Sequence, residues 1–256
     1  MPDSAGDPVL IDASDDPSQN LQNFKLNDLE PLTREKAFAS NASADFHLFF
    51  VGRDDVHDIL SYVISRVRTS LYLNMFGFDD DKLNAIIMKK VMDPTITVVI
   101  TLDKSQAGGV HEKKLLDADR QQALADFNTH FTIGESLTHQ ISHTKGFVAD
   151  GRAGAEGSTN WSDSGEGTFV VKNMPGGPGY KAQNNTQTVF TDQDSISRFQ
   201  SELIAEHLAA RDQESATTPA AMRQQKPTLT NVVRAQVEAK AKVYGRKLAP
   251  QPATGG

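Results

Sequence analysis

His143-Thr144-Lys145, then four residues to Asp150, then six more to Gly157-Ser158-Thr159-Asn160, is the stretch around which the rest of the 256-residue chain is organised. Residues 143 to 149 and 154 to 159 each have the length and composition of a short strand, with a turn between them. Side chains two apart on a strand share a face, so His143 and Lys145 project together, as do Ser158 and Asn160. Two neighbouring strands thus offer an imidazole, an ammonium, a hydroxyl and an amide to one point. A neutral imidazole is a competent nucleophile near its pKa of ~6.5. Lysine and neutral donors can stabilise charge on phosphoryl oxygens without a metal. The glycines at 146, 151, 154 and 157 permit close backbone approach.

Outward from this stretch, strand-like and helix-like segments alternate from about 43 to 210. Strands are expected at 47–51, 71–78, 95–101, 130–134 and 186–190. Helices are expected at 56–67, behind an N-cap at Asp54 or Asp55, and at 80–92, 111–127 and 192–210. The alternation predicts an α/β fold, a mixed and largely buried β-sheet flanked by helices on both faces. A Gly/Pro-rich loop covers 174–179, a linker 213–219, and residues 229–245 can form a basic helix. Three regions follow: an acidic, mostly disordered segment 1–40, a folded domain 41–211, and a linker with basic tail 212–256.

The chain has no cysteine, which excludes disulfides, thiol nucleophiles and cysteine metal sites. No apolar run reaches the ~18 to 20 residues of a membrane span, and the N-terminus lacks the pattern of a Sec signal. The expected location is the cytoplasm, or outside the cell by a route that reads no such signal. A net charge of −7 argues in bulk against a polyanionic partner, but it is unevenly distributed. Residues 1–30 carry seven acids against Lys25, and residues 221–256 carry seven bases against Glu238. The two ends cancel, so the bulk figure does not exclude nucleic acid.

The pattern of His143, Lys145, Asp150, Gly157, Ser158 and Asn160 resembles the HKD motif of the phospholipase D superfamily. The likeness extends over one repeat of about 170 residues, from the strand-helix lead-in at about 45 to 105, through Asp103-Lys104-Ser105-Gln106, to the strand and helix at 186–210. The only other candidate, His111-Glu112-Lys113, fails because Ala118 stands where Asp is needed. Single-motif members resemble a bacterial endonuclease subgroup whose homodimers place two motifs at the interface. The resemblance implies a metal-independent phosphodiesterase without cofactor. His143 of one protomer forms a phosphohistidine, and His143 of the other protonates the leaving oxygen. Lys145 and Asp150 complete the catalytic motif, with Asp150 expected to fix its loop, and Ser158 and Asn160 bind the phosphate. DNA or RNA is the expected substrate. The alternatives are a phospholipase D-type hydrolase or transferase acting on phospholipids, for which Phe169, Val170, Val171 and Met174 are the apolar candidates, and a catalytically weak phosphate-binding module.

One departure from the family pattern concerns the carboxylate that usually orients the imidazole from the start of the late strand. Here Gln183, Asn184 and Asn185 are the candidates for that role, and an amide stabilises an imidazolium less than a carboxylate does. Glu166 is a substitute only if its loop folds back, and is otherwise expected in solvent. His139 and His143 stand four apart, but no third ligand fits, so no metal site is expected there. His47, His57, His111, His130 and His207 are expected to be hydrogen-bonded or solvated, and Trp161 to lie in the core.

Overall fold

The computed structural model describes residues 11–136 and 141–217. Asp55 and Asp80 begin the first two long helices, their carboxylates accepting the backbone N–H of Asp58 at 3.1 Å and of Leu83 at 2.6 Å. These caps satisfy donors that the first helical turn leaves orphaned. In chain order the elements are β1 (Phe46–Phe50), α1 (Val56–Ser65), β2 (Ser70–Met75), α2 (Asp81–Val91), β3 (Thr97–Asp103), α3 (Val110–His130) and β4 (Phe131–Gly134). There follow β5 (Lys145–Ala149), β6 (Ala153–Gly157), α4 (Asp163–Glu166), α5 (Thr168–Val171), β7 (Thr186–Phe190) and α6 (Gln193–Thr217).

The strands form one seven-stranded sheet in the order β1-β7-β6-β5-β2-β3-β4. β2, β3 and β4 run parallel, whereas β5, β6, β7 and β1 join by antiparallel ladders. Strand alternation divides the apolar residues between two layers. Leu71, Leu73, Met75, Phe147, Ala149, Ala155 and Val189 pack with α1, α2 and α3 in the main core. Tyr72, Val148 and Phe190 meet Ile196, Phe199 and Leu203 of α6 on the other face. The architecture is therefore the expected mixed α/β sheet with helices on both faces.

On α1, Val56, Ile59, Leu60, Val63 and Ile64 are all buried, at helical spacing. Each such side chain contributes roughly 1.5–3 kcal/mol relative to an exposed one. Two of the motif's glycines serve internal packing. A Cβ at Gly154 would lie 2.2 Å from the Phe190 ring, and one at Gly146 would lie 2.8 Å from that of Phe199.

Two expectations are corrected. The segment before β1 is not disordered from Ile11 onward. It carries a 3₁₀ helix at Leu26–Leu32, and Leu21, Leu26 and Leu29 enter the main core. Arg68 donates to the carbonyls of Ala13 and Asp16 at 2.7 and 2.6 Å, and Lys89 pairs with Asp15 at 2.8 Å. The acidic residues that read as a solvated tail thus meet cations presented by the β2 approach and α2. The linker expected from 213 is helical to Thr217, as a continuation of α6. The basic tail beyond it lies outside the described residues.

Glu112 opens a testable electrostatic feature. It is buried in the first turn of α3 and accepts the Phe78 N–H at 3.2 Å. Burial pushes its carboxyl up to about 7; the Phe78 hydrogen bond works against this, and the charges of Asp79 and Asp103 add to it. A folded-state pKa above the unfolded value favours folding at low pH, an advantage lost as pH rises through about 7. Glu112→Gln, which keeps an acceptor for Phe78, is expected to match the parent near pH 4 and exceed it near pH 9 by roughly 2–3 kcal/mol. Urea unfolding at both pH values checks this, and equal stabilities near pH 9 would contradict it.

Candidate active site

The carboxyl ends of β2 and β3, the start of β5, the end of β6 and the start of β7 meet at one end of the sheet, the end where open α/β sheets usually bind ligands. His143 is exposed there, in the extended segment just before β5. Ser142 fixes its approach. The Ser142 N–H donates to Asp103 at 2.6 Å, and its hydroxyl exchanges hydrogen bonds with the Asn74 amide at 3.0 and 3.1 Å. The imidazole packs edge-on against Phe76, with ring centroids 4.5 Å apart.

Lys145 is only 2% exposed. Its Nζ donates to the His143 carbonyl at 2.8 Å and lies 4.8 Å from the Phe76 ring centroid. An ammonium has three donors, so two remain for an anion. Burial holds the Lys145 pKa below the usual lysine value, with Glu156 and Asp103 pulling the other way. Phe76 therefore supports both groups through an edge contact and a cation–π contact.

The next residue, Gly77, receives Asn160. A Cβ on Gly77 would lie 3.2 Å from the Asn160 side chain, and the Trp161 N–H donates to the Gly77 carbonyl at 2.9 Å. The Asn160 Oδ1 is buried without a hydrogen-bond partner. His143, Lys145 and Asn160 are thus gathered along the exit of β2.

The remaining expected residues are held by other contacts. Ser158 accepts the Thr186 N–H at 3.0 Å and donates to Asn185 at 3.3 Å. Asn185 in turn donates to the Gly165 carbonyl and to Gln183, both at 3.0 Å. Asn184 is exposed. Gln183 and Asn185, two of the three amides considered for orienting His143, are therefore engaged in tying β6, β7 and α4 together. Asp150 sits at the opposite end of β5, about 17 Å along the strand from Lys145. Its carboxylate accepts the N–H groups of Arg68, Thr69 and Ser70 at 2.9, 2.8 and 2.9 Å, and the Thr69 hydroxyl at 2.9 Å. It closes the β5–β6 turn onto the start of β2, a structural task.

Asp150→Ala would leave those N–H groups short of their acceptor. A loss of roughly 2–4 kcal/mol is expected in denaturant unfolding, with turnover per folded molecule unchanged. A selective loss of turnover without loss of stability would overturn this assignment.

The expectation of a solvated Glu166 is overturned. Glu166 is fully buried, and its Oε2 lies 2.6 Å from the His57 Nδ1. Asp80 Oδ2 lies 3.3 Å from the same nitrogen. Glu166 is committed to His57 because the αL residue Gly167 and its neighbours turn α4 inward against Val51 and Gly52. Burial opposes charge on His57, but the hydrogen bonds and charges of Asp80 and Glu166 outweigh it and push its pKa up to about 10. Among the other histidines, His130 meets the Val98 carbonyl at 2.9 Å and His207 meets Thr101 at 3.0 Å. His139 lies outside the described residues.

Sequence reasoning missed Phe76 and Gln187. Gln187 pairs with Gly157 in the ladder, is fully buried, and its Oε1 has no hydrogen-bond partner. The available signal was a polar residue in the inward register of β7, two positions before the core residue Val189.

No family model matches the chain, and no curated protein is similar to it. Among solved structures, it is similar to Nuc from Salmonella typhimurium, described as a phospholipase D family member, at 15% identity and TM-score 0.47 over 63% of this chain and 92% of that one. NucT from Helicobacter pylori matches at 15% identity and TM-score 0.44, over 63% and 94%. Phosphatidylserine synthase from Haemophilus influenzae matches at 14% identity and TM-score 0.47, over 91% of this chain and 48% of that one.

Proposed function

We propose that this chain is a metal-independent phosphodiesterase that acts on nucleic acid as a homodimer. The observation that carries the reading is the exposed His143 imidazole placed beside the buried Lys145 ammonium on one aromatic support, Phe76. His143 attacks phosphorus, a P–N bond forms, and the P–O bond to the leaving group breaks. The leaving oxygen takes a proton from a second histidine. Water then attacks the phosphohistidine, giving its proton to that second histidine as the P–N bond breaks. Lys145 and Asn160 stabilise charge on the non-bridging oxygens.

The second histidine comes from another copy of the chain. Among the described residues, no other histidine is bonded to His143, and each chain carries one motif. A second reading, phospholipid cleavage, is favoured by Val170 and Met174, which are 50% and 54% exposed in the segment after the motif. A third is a catalytically weak phosphate-binding module, favoured by the lack, among the described residues, of a carboxylate hydrogen-bonded to His143.

The deciding experiment compares labelled single-stranded DNA, double-stranded DNA, RNA and phospholipid vesicles, with and without EDTA, alongside light scattering. Nucleic-acid cleavage that persists in EDTA, by a dimer, is expected. Cleavage of vesicles alone moves the assignment to lipid, and an active monomer removes the shared site. Binding of nucleic acid without cleavage selects the third reading.

A further inference from the structure

His57, Asp80 and Glu166 come from three separate segments: the first turn of α1, the N-cap of α2 and the end of α4. All three are buried, and one donor atom from each lies within 4.8 Å of the other two. Only His57 Nδ1 faces both carboxylates, at 2.6 Å from Glu166 Oε2 and 3.3 Å from Asp80 Oδ2. The other oxygen of Asp80 is fixed by the Leu83 N–H at 2.6 Å, which aims Oδ2 at the cluster. The other oxygen of Glu166, Oε1, is buried without any hydrogen-bond partner on a side chain that is 0% exposed.

We propose that His57, Asp80 and Glu166 form a buried site for one divalent transition-metal ion of the zinc class, which pins α1, the β2–α2 junction and the post-motif turn together. One imidazole and two carboxylates are a donor set that Zn²⁺ accepts. Ligands about 2.1 Å from a tetrahedral ion stand about 3.4 Å from one another, so the His57–Asp80 separation already fits. The Glu166 oxygen must withdraw by about 0.8 Å, a small rotation of its carboxylate.

A divalent cation would balance the two buried carboxylates of Asp80 and Glu166, whose Oε1 has no hydrogen-bond donor. The hydrogen bond on the Asp80 Oδ1 supplies the kind of outer contact that orients metal ligands.

This ion is structural and touches none of His143, Lys145 and Asn160, so the inference stands apart from the phosphodiesterase reading. The test uses the full chain, stripped with EDTA and dialysed, then titrated with Zn²⁺ and, separately, with Co²⁺. One ion per chain is expected by elemental analysis. The melting temperature should rise by roughly 5–10 °C at ion concentrations about 100 times Kd. Co²⁺ should develop visible absorption. Glu166→Gln should abolish the Zn²⁺-dependent rise, and His143→Ala should retain it in full. An unchanged melting temperature and no stoichiometric ion in the parent chain would overturn the site, as would loss of binding in His143→Ala. Turnover lost in EDTA while the chain remains folded would instead count against the metal-independent mechanism.

Discussion

His143→Ala is expected to reduce phosphodiester cleavage by on the order of 10⁴-fold while leaving the melting temperature within a degree or two of the parent. The imidazole is exposed, and its packing is an edge contact with Phe76, so truncation removes little buried area. Its removal deletes the proposed nucleophile, and among the described residues no other histidine is bonded to it. Lys145 is engaged with the His143 carbonyl, a backbone atom that survives the substitution, so the ammonium keeps its place. Acid quenching of the parent during turnover should trap a labelled phosphoprotein that is absent from His143→Ala. A variant retaining more than about a tenth of parental turnover would sink the proposed mechanism, because a nucleophile cannot be dispensable.

Trp161→Ala is expected to have the largest effect on stability. The side chain is 1% exposed, and its ring lies 5.9 Å from that of Phe78 and 6.0 Å from that of Phe147. Its backbone bridges to the β2 exit, donating to Gly77 at 2.9 Å and accepting from Asp79 at 2.8 Å. Truncation leaves a cavity between β5 and the β2–α2 junction, at a cost of about 3–5 kcal/mol. The indole Nε1 is buried without a partner, so losing it returns a small part of that cost. Turnover per folded molecule should also fall, since Asn160 is the adjacent residue and leans on Gly77. Urea unfolding measures the first effect, and turnover well below the melting temperature measures the second. Unchanged stability with a raised KM would identify Trp161 as a base-stacking platform instead.

Much of the fold was legible because its determinants are local. The apolar spacing of 56–67 follows a helical period, and Asp55 caps that helix. The β-branched run before Asp103 forms β3, buried along nearly its whole length. Within the site, the pairing of His143 with Lys145 followed from strand alternation, although the ladder itself begins only at Lys145. Asp150 was read as a loop partner within the motif, and its carboxylate accepts from four donors at the start of β2.

The acidic head was misread for a reason of range. Composition registers its charges, but burial of Leu21, Leu26 and Leu29 depends on a core assembled from strands and helices far along the chain. Glu166 was misread in the same way. A glutamate between two glycines looks solvated until a histidine 109 positions earlier is found beside it. Phe76 looked like one more apolar residue at the end of a strand, and its role depends on β5 pairing beside β2.

What the sequence determined by itself was the set of reactive groups and their local geometry, because spacing along a strand or helix dictates which side chains share a face. The tertiary structure alone decided which of those groups meet. Sheet order brings His143, Lys145 and Asn160 to the exit of β2, sends Asp150 to the far end of the sheet, and buries Glu166 on His57. Such juxtapositions are set by packing between segments distant in sequence, and local spacing carries no record of them.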